Sequence, residues 1–264
     1  MIIFRLGKAK AILVRLGRRV NEAISYFYSS AESTGSDKVR LILFGQGRTG
    51  STLLEDLLCS TGYFRENGEL LNTDKGEILC PIQYIRGLSK RKASENFIFH
   101  VKIYHLTKNR KRPIDPAEFL RTLYNDGWKI IYLRRKNKVR HGLSSVVARH
   151  RGEFHKCTDK SEKFSLSINC SSFVRRVTER FRFEDLERCA LENIEFHEVI
   201  YEEDLEDSDN HQATVNRILD YVSLERRGAD TKHRKVNTQS LKDLIVNYDE
   251  FVDCLTEQGW QEFL

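Results

Sequence analysis

Apolar residues along the chain fall into two kinds of stretch. Short unbroken apolar runs bounded by glycine or polar residues read as buried strands, and longer segments with an apolar residue every three to four positions read as helices. Val39–Phe44 breaks at Gly45 and is the first predicted strand; Phe97–Ile103, Trp128–Leu133 and Ile194–Ile200 are the next three. The helical pattern covers Gly50–Cys59, with Leu53, Leu54, Leu57 and Leu58 on one face, and then about 116–124, closed by Asn125-Asp126-Gly127. It recurs at about 137–150 and about 171–191, where Phe173, Val177, Phe181 and Leu186 come roughly into register, and at about 211–222. A last helix, about 240–255, carries Leu241, Leu244, Ile245, Tyr248, Phe251, Val252 and Leu255 on one stripe.

Strands that alternate with helices predict an α/β fold, a three-layer α/β/α sandwich around a central parallel sheet. Ligands in such sheets bind beyond the C-terminal ends of the strands. Those ends carry Gly45–Thr52, His105, Arg134–Arg135 and Tyr201–Glu202.

Residues 1–36 stand apart from this pattern. Ile2, Ile3, Leu6, Ile12, Leu13, Leu16, Val20 and Ile24 recur at near-helical spacing, with Arg5, Lys8, Lys10, Arg15, Arg18 and Arg19 among them. The charges interrupt any signal-peptide core, and no apolar run reaches the roughly 18 residues of a membrane span. Residues 1–36 therefore read as a basic amphipathic helix, either packed on the domain or in peripheral contact with a membrane through residues 1–28, and 37–264 as one α/β domain.

Composition narrows the class. Of 264 residues, 40% are hydrophobic and 31% charged, as in a soluble globular protein, and the 3 Pro are scattered, so no Pro-rich linker divides the chain. The net charge of +6 suits an anionic ligand or surface. The basic residues are spread along the chain and no nucleic-acid-binding signature is present, so nucleic acid is not an expected partner. The 6 Cys form no C-x-x-C pair, so no zinc site is expected; the thiols read as those of a cytoplasmic protein, although an even count leaves disulfides open.

The turn after the first strand is FGQGRTGST, residues 44–52. It fits the phosphate-loop pattern G-x-x-x-x-G-K-[ST] at Gly45, Gly50 and Thr52, but Ser51 stands where the lysine should be. The cation has moved to Arg48. Backbone amides and hydroxyls of Thr49, Gly50, Ser51 and Thr52 can still cradle phosphate oxygens at a helix N-terminus. The next strand ends in Tyr104 and His105 rather than an acid that could hold magnesium through Thr52, which disfavours metal-dependent NTP hydrolysis.

A second anion site follows the third strand. Lys129–Leu133 runs into Arg134-Arg135 and then a helix bearing Ser144. An Arg at a strand tip and a Ser on the next helix can grip one phosphate together. Cations at a helix N-terminus oppose the helix dipole unless an anion is present.

These two segments resemble the 5′-phosphosulfate and 3′-phosphate motifs of sulfotransferases that use 3′-phosphoadenosine 5′-phosphosulfate (PAPS). The bacterial branch acting on carbohydrates and glycolipids, with "PRSGST" and "LRRxN…S" segments, is most similar; here they read GQGRTGST and LRRKNKVRHGLS. ENGELLN (66–72), FHVKIYHL (99–106), IYEEDLED (200–207) and HRKVNTQSLKDLIVNYDEF (233–251) extend the likeness in order. Gly47 departs from the family's frequent Pro, and the spacing to Ser144 is one residue longer than in the cytosolic branch.

The resemblance implies transfer of a sulfuryl group to a sugar or lipid-linked hydroxyl, without a metal, leaving 3′,5′-diphosphoadenosine (PAP). It assigns Gly47, Arg48, Thr49, Gly50, Ser51 and Thr52 to the 5′-phosphosulfate, Arg135 and Ser144 to the 3′-phosphate, and Lys235 to closure over the nucleotide. Glu69 in GELLN and His105 in KIYHL are alternative general bases, with Glu69 favoured, and Lys102 is placed to neutralise the sulfuryl oxygens. Glu202 and Asp204 read as helix caps. Acceptor contacts are expected from two polar loops, 71–96 and 151–169. A kinase with an unusual phosphate loop and a non-catalytic PAP-binding protein are the competing readings.

Overall fold

The structure, a computed structural model, describes residues 2–30, 38–92, 95–151, 164–233 and 240–264, and in the first helix the side chains from Leu16 onward. Five strands, β1 (Arg40–Gly45), β2 (Phe64–Arg65), β3 (Asn96–Lys102), β4 (Lys129–Arg134) and β5 (His197–Ile200), form one sheet in the order β2-β3-β1-β4-β5. Every pairing is parallel. The helices are α1 (Ile2–Ser29), α2 (Ser51–Ser60), α3 (Pro81–Arg91), α4 (Ile103–Leu106), α5 (Pro116–Asn125), α6 (Lys138–Arg151), α7 (Cys170–Ala190), α8 (His211–Tyr221), α9 (Leu241–Leu244) and α10 (Tyr248–Glu257).

Alternation along the strands makes the layers. Leu41 and Leu43 point to one face of the sheet, where they meet Leu54, Leu57 and Leu58 of α2 and Val215, Ile218 and Leu219 of α8. Ile42 and Phe44 point to the other, against Tyr84, Ile85, Leu120, Leu123 and Phe183 from α3, α5 and α7. A parallel sheet covered on both faces favours apolar residues at successive positions, which is why the central strands β1 and β4 read as unbroken runs at Leu41–Phe44 and Ile130–Leu133. A third apolar cluster beside the sheet joins α6, α7 and α10 through Val139, Leu143, Phe173, Val177 and Phe251. The three-layer α/β/α architecture expected from the pattern is the one observed.

The predicted helix at 240–255 is two helices. Between α9 and α10, Ile245 is extended (φ −108, ψ 116), and the chain pairs there with Leu166: Leu166 N–H donates to Leu244 O at 2.9 Å and Val246 N–H to Leu166 O at 3.0 Å. The apolar stripe survives the break, with Leu244, Ile245, Phe251 and Leu255 all buried. The loop expected over 71–96 contains α3, begun by Pro81 at a favoured first-turn position and held by Tyr84, Ile85 and Leu88. The basic run 90–92 at its end obscured that pattern.

From Leu16 on, α1 packs on α3. Gly87 of α3 makes this possible, since a Cβ there would lie 1.7 Å from the backbone oxygen of Ser25. Lys90 Nζ donates to Ser29 O at 2.8 Å, and the buried Glu22 accepts from Leu79 N–H at 2.7 Å.

Candidate functional site

The chain leaves β1 toward β2 and leaves β4 in the opposite direction toward β5, so the sheet has its switch point between the adjacent strands β1 and β4. The crevice beyond that point is where open α/β sheets bind ligands. The loop 45–50 lies in it, and its shape explains its glycines. A Cβ on Gly45 would sit 2.1 Å from the Leu133 carbonyl oxygen of β4. Gly47 N–H donates to the Tyr104 hydroxyl at 3.1 Å, a bond that a proline could not make, and a Cβ there would lie 2.4 Å from that hydroxyl. Gly50 has φ +91, with Tyr201 and Leu205 against it. Arg48 takes φ +72, a left-handed conformation rare for a side-chain-bearing residue.

Ser51 and Thr52 open α2 and line the cleft, with no acid in that first turn. Thr49 is different from expectation. Its buried hydroxyl donates to Gln46 O at 2.7 Å and holds the loop's shape, which leaves only its backbone for a ligand.

The two expected anion sites adjoin. Arg48 Nε donates to Ser144 Oγ on α6 at 3.2 Å. Burial lowers the pKa of the Arg48 guanidinium, and the positive charges of Arg135 and Arg180 lower it further. Arg135 lines the cleft, stacked 4.3 Å over the Tyr201 ring, with its Nε donating to Glu202 at 3.2 Å. Arg134 turns aside to Glu198 (2.6 Å) and Glu184 (3.6 Å). Glu202 accepts the amides of Lys136 (2.9 Å) and Asn137 (3.2 Å), so it caps the entry to α6 as read from the sequence. Asp204 instead accepts Ile200 N–H at 2.6 Å and pairs with Arg217.

On the β3 side, Glu69, Lys102 and His105 come together. Glu69 is ion-paired to Lys102 Nζ, accepts from Asn72 Nδ2 at 3.0 Å, and faces His105 Nε2 at 3.6 Å. Burial raises the Glu69 pKa, but the charge and hydrogen bond of Lys102, aided by His105, outweigh it and leave the carboxyl below its usual range. His105 lies on the single-turn helix α4 rather than at the strand tip, because β3 ends at Lys102. Its Nδ1 accepts Lys102 N–H at 3.4 Å, so the neutral ring carries its proton on Nε2, toward Glu69. Burial, then the Lys102 charge, push its pKa down to about 4.

A buried pair underlies both walls. Glu55 of α2 meets His100 of β3 at 2.5 Å, and its other oxygen accepts the amides of Asn67 (3.2 Å) and Gly68 (3.1 Å). The helix α2 is thereby tied to the segment that carries Glu69. Arg180 of α7 reaches Ser145 (2.8 Å) and Gln46 (3.3 Å), and Gln46 donates to the buried Glu187 at 3.3 Å, whose carboxyl burial raises to about 8. Glu55, Arg180 and Glu187 were not singled out from the sequence, and Gln46, Tyr104 and Tyr201 were placed at strand ends without a role. Arg180 and Glu187 are seven residues apart on one helix face, a spacing that was the one available signal.

One cleft of about 1520 Å³ is lined by Arg48, Gly50, Ser51, Thr52, Arg135 and Ser144 together with Glu69 and Lys102. Gly47, Thr49 and His105 stand behind these residues rather than among those lining the cleft. Lys235 lies outside the described residues. Among the described residues no group of three or more His, Cys, Asp or Glu is arranged to hold a metal ion.

No family model matches the chain, and no curated protein matches it. Among solved structures it is similar to the shikimate kinase from Bacteroides thetaiotaomicron, at 16% identity and a TM-score of 0.39, over 70% of this chain and 99% of that one.

Proposed function

We propose that the protein is a sulfotransferase that moves a sulfuryl group from PAPS to a hydroxyl of a carbohydrate, glycolipid or similar acceptor. The observation that carries this reading is the sharing of one cleft by two walls. The Arg48–Ser144 contact and Arg135 form a cationic wall at the switch point, and the Glu69–Lys102 pair forms the wall opposite. The first wall fits a nucleotide with two separate anionic groups. Glycines where a Cβ would collide, and an Arg48 guanidinium repelled by both Arg135 and Arg180, suit a bound polyanion.

In the proposed reaction the acceptor oxygen attacks sulfur in line, its proton passes to a base, and the bond to the bridging oxygen of PAPS breaks, releasing PAP. Arg48 and the first-turn amides of α2 offset the charge that builds on the leaving phosphate. Arg135 and Ser144 hold the 3′-phosphate. Glu69 is the base. His105 orients it, since Nδ1 is engaged by the backbone and Nε2 points at the carboxylate. Lys102 turns from Glu69 to the sulfuryl oxygens as they arrive; Glu69 then loses the charge that holds its carboxyl down and becomes a stronger base.

The test is incubation with PAPS and a panel of sugars and glycolipids, followed by mass spectrometry. The reading requires a product heavier by one SO₃ and stoichiometric PAP. PAP binding with no product from any acceptor would leave a nucleotide-binding protein without this activity.

A further inference from the structure

The helix α1 has a second face, opposite the one on α3. Glu22 and Ser25 are buried, whereas Leu16, Val20, Ile24 and Phe27 are exposed, Phe27 by 78%. Steps of four, four and three residues set these four on one stripe of a helix. Tyr28 borders the stripe, its ring edge-on to Phe27, and the Arg91 guanidinium lies 5.9 Å from its centre.

Charge selects what covers this face. The first 21 residues hold six Lys or Arg and no Asp or Glu. The first acid, Glu22, is buried and engaged by Arg19, Tyr26 and the Leu79 amide. A second copy of the chain would bring an equally basic helix alongside, and like charges flanking an apolar seam oppose pairing. An anionic lipid surface complements both features: apolar side chains enter the acyl boundary, basic residues meet headgroups, and Tyr beside Arg suits the boundary between them. No helix among the described residues is long and apolar enough to cross a membrane, which fits a helix lying in the interface plane.

Through its packed face the same helix is coupled to the cleft. Arg18 Nη2 donates to the Leu70 carbonyl at 2.7 Å, next in the chain to Glu69. We infer that α1 docks the protein on an anionic lipid surface through the Leu16–Phe27 stripe, with the Glu69 segment of the cleft tied to the docked helix. The docking does not rest on the sulfuryl-transfer reading. A chain that binds vesicles but not PAP would keep the one and lose the other.

The experiment is co-sedimentation of the full chain with vesicles of phosphatidylcholine alone or with added phosphatidylglycerol, at low and high salt. Binding to the anionic vesicles that weakens with salt is expected. The double substitution Val20→Asp, Ile24→Asp should lower partitioning at least about tenfold, by removing two apolar anchors and adding two anions. Both positions are exposed, so circular dichroism and the melting temperature should not change. Absence of binding to anionic vesicles, or equal binding to neutral ones, overturns the inference. So does a dimer by light scattering that the double variant splits without any effect of lipid, which would make a second copy the occupant.

Discussion

Arg48 and Ser144, 96 residues apart in the chain, meet at 3.2 Å across the switch point of the sheet. The loop after β1 and the helix after β4 therefore close on the same volume. Arg48 holds this position in a left-handed conformation and at a desolvation cost that lowers its pKa. On the proposed reading, replacement by Ala should abolish sulfuryl transfer without lowering the melting temperature, because a part-buried cation held at a desolvation cost and in a rare backbone conformation adds little stability. A large loss of stability in Arg48→Ala would show that the residue is structural.

Lys102 sets the basicity of Glu69. The folded pKa of Glu69 is depressed, so its carboxylate stays ionised until the pH falls below the usual carboxylate range. The acid limb of kcat/KM, which reports the free enzyme, should lie below that range. In Lys102→Ala, with burial no longer opposed by that charge, the limb should move to higher pH. Glu69→Gln should spare PAP affinity and stop turnover. An acid limb that stays in place in Lys102→Ala would remove Glu69 from the role of base.

His105 contributes to the pH dependence of stability. Its pKa falls from 6.5 to about 4 on folding, so between those values the unfolded chain binds a proton that the folded one does not. Its contribution is complete above pH 6.5 and is lost as the pH falls toward 4. Urea denaturation at about pH 7 and about pH 4.5 should show a smaller acid-induced loss in His105→Gln than in the parent protein. Equal losses would mean that His105 is protonated in the folded state.

Gly87→Ala should reverse the usual trend. In an exposed helix interior that change stabilises by about 1 kcal/mol. Here the new Cβ would meet the Ser25 backbone at 1.7 Å, so α1 must move off α3. A loss of about 1–3 kcal/mol is expected from such overpacking. Faster proteolysis within α1 should accompany it. A neutral or stabilising effect would mean that the helices do not cross at Gly87.

The sheet and its layers were legible because a parallel sheet covered on both faces leaves a plain mark: Leu41–Phe44 and Ile130–Leu133 are apolar at every position. The loop 45–52 and Arg134–Arg135 were legible for a similar reason, since strand ends in such folds converge. What the pattern hid depends on distant partners. Ile245 leaves the helical conformation for Leu166, which no local propensity signals. Thr49 reads like its neighbours Ser51 and Thr52, and the Gln46 carbonyl withdraws its hydroxyl. Glu55 reads as an ordinary helix-surface acid, and is buried because His100 and the Asn67–Gly68 amides meet it. His105 reads as a strand-tip residue, and no local pattern announces that its Nδ1 accepts Lys102 N–H.

Calorimetric titration with PAP, and separately with ATP and magnesium, tests the assignment most directly. PAP should bind without added metal, and Arg135→Ala should weaken it by about 2–3 kcal/mol through loss of a charged, hydrogen-bonded contact. Arg134→Ala should leave it nearly unchanged, because that side chain is turned toward Glu198 and Glu184. Binding of ATP with magnesium but not of PAP would contradict the sulfotransferase assignment.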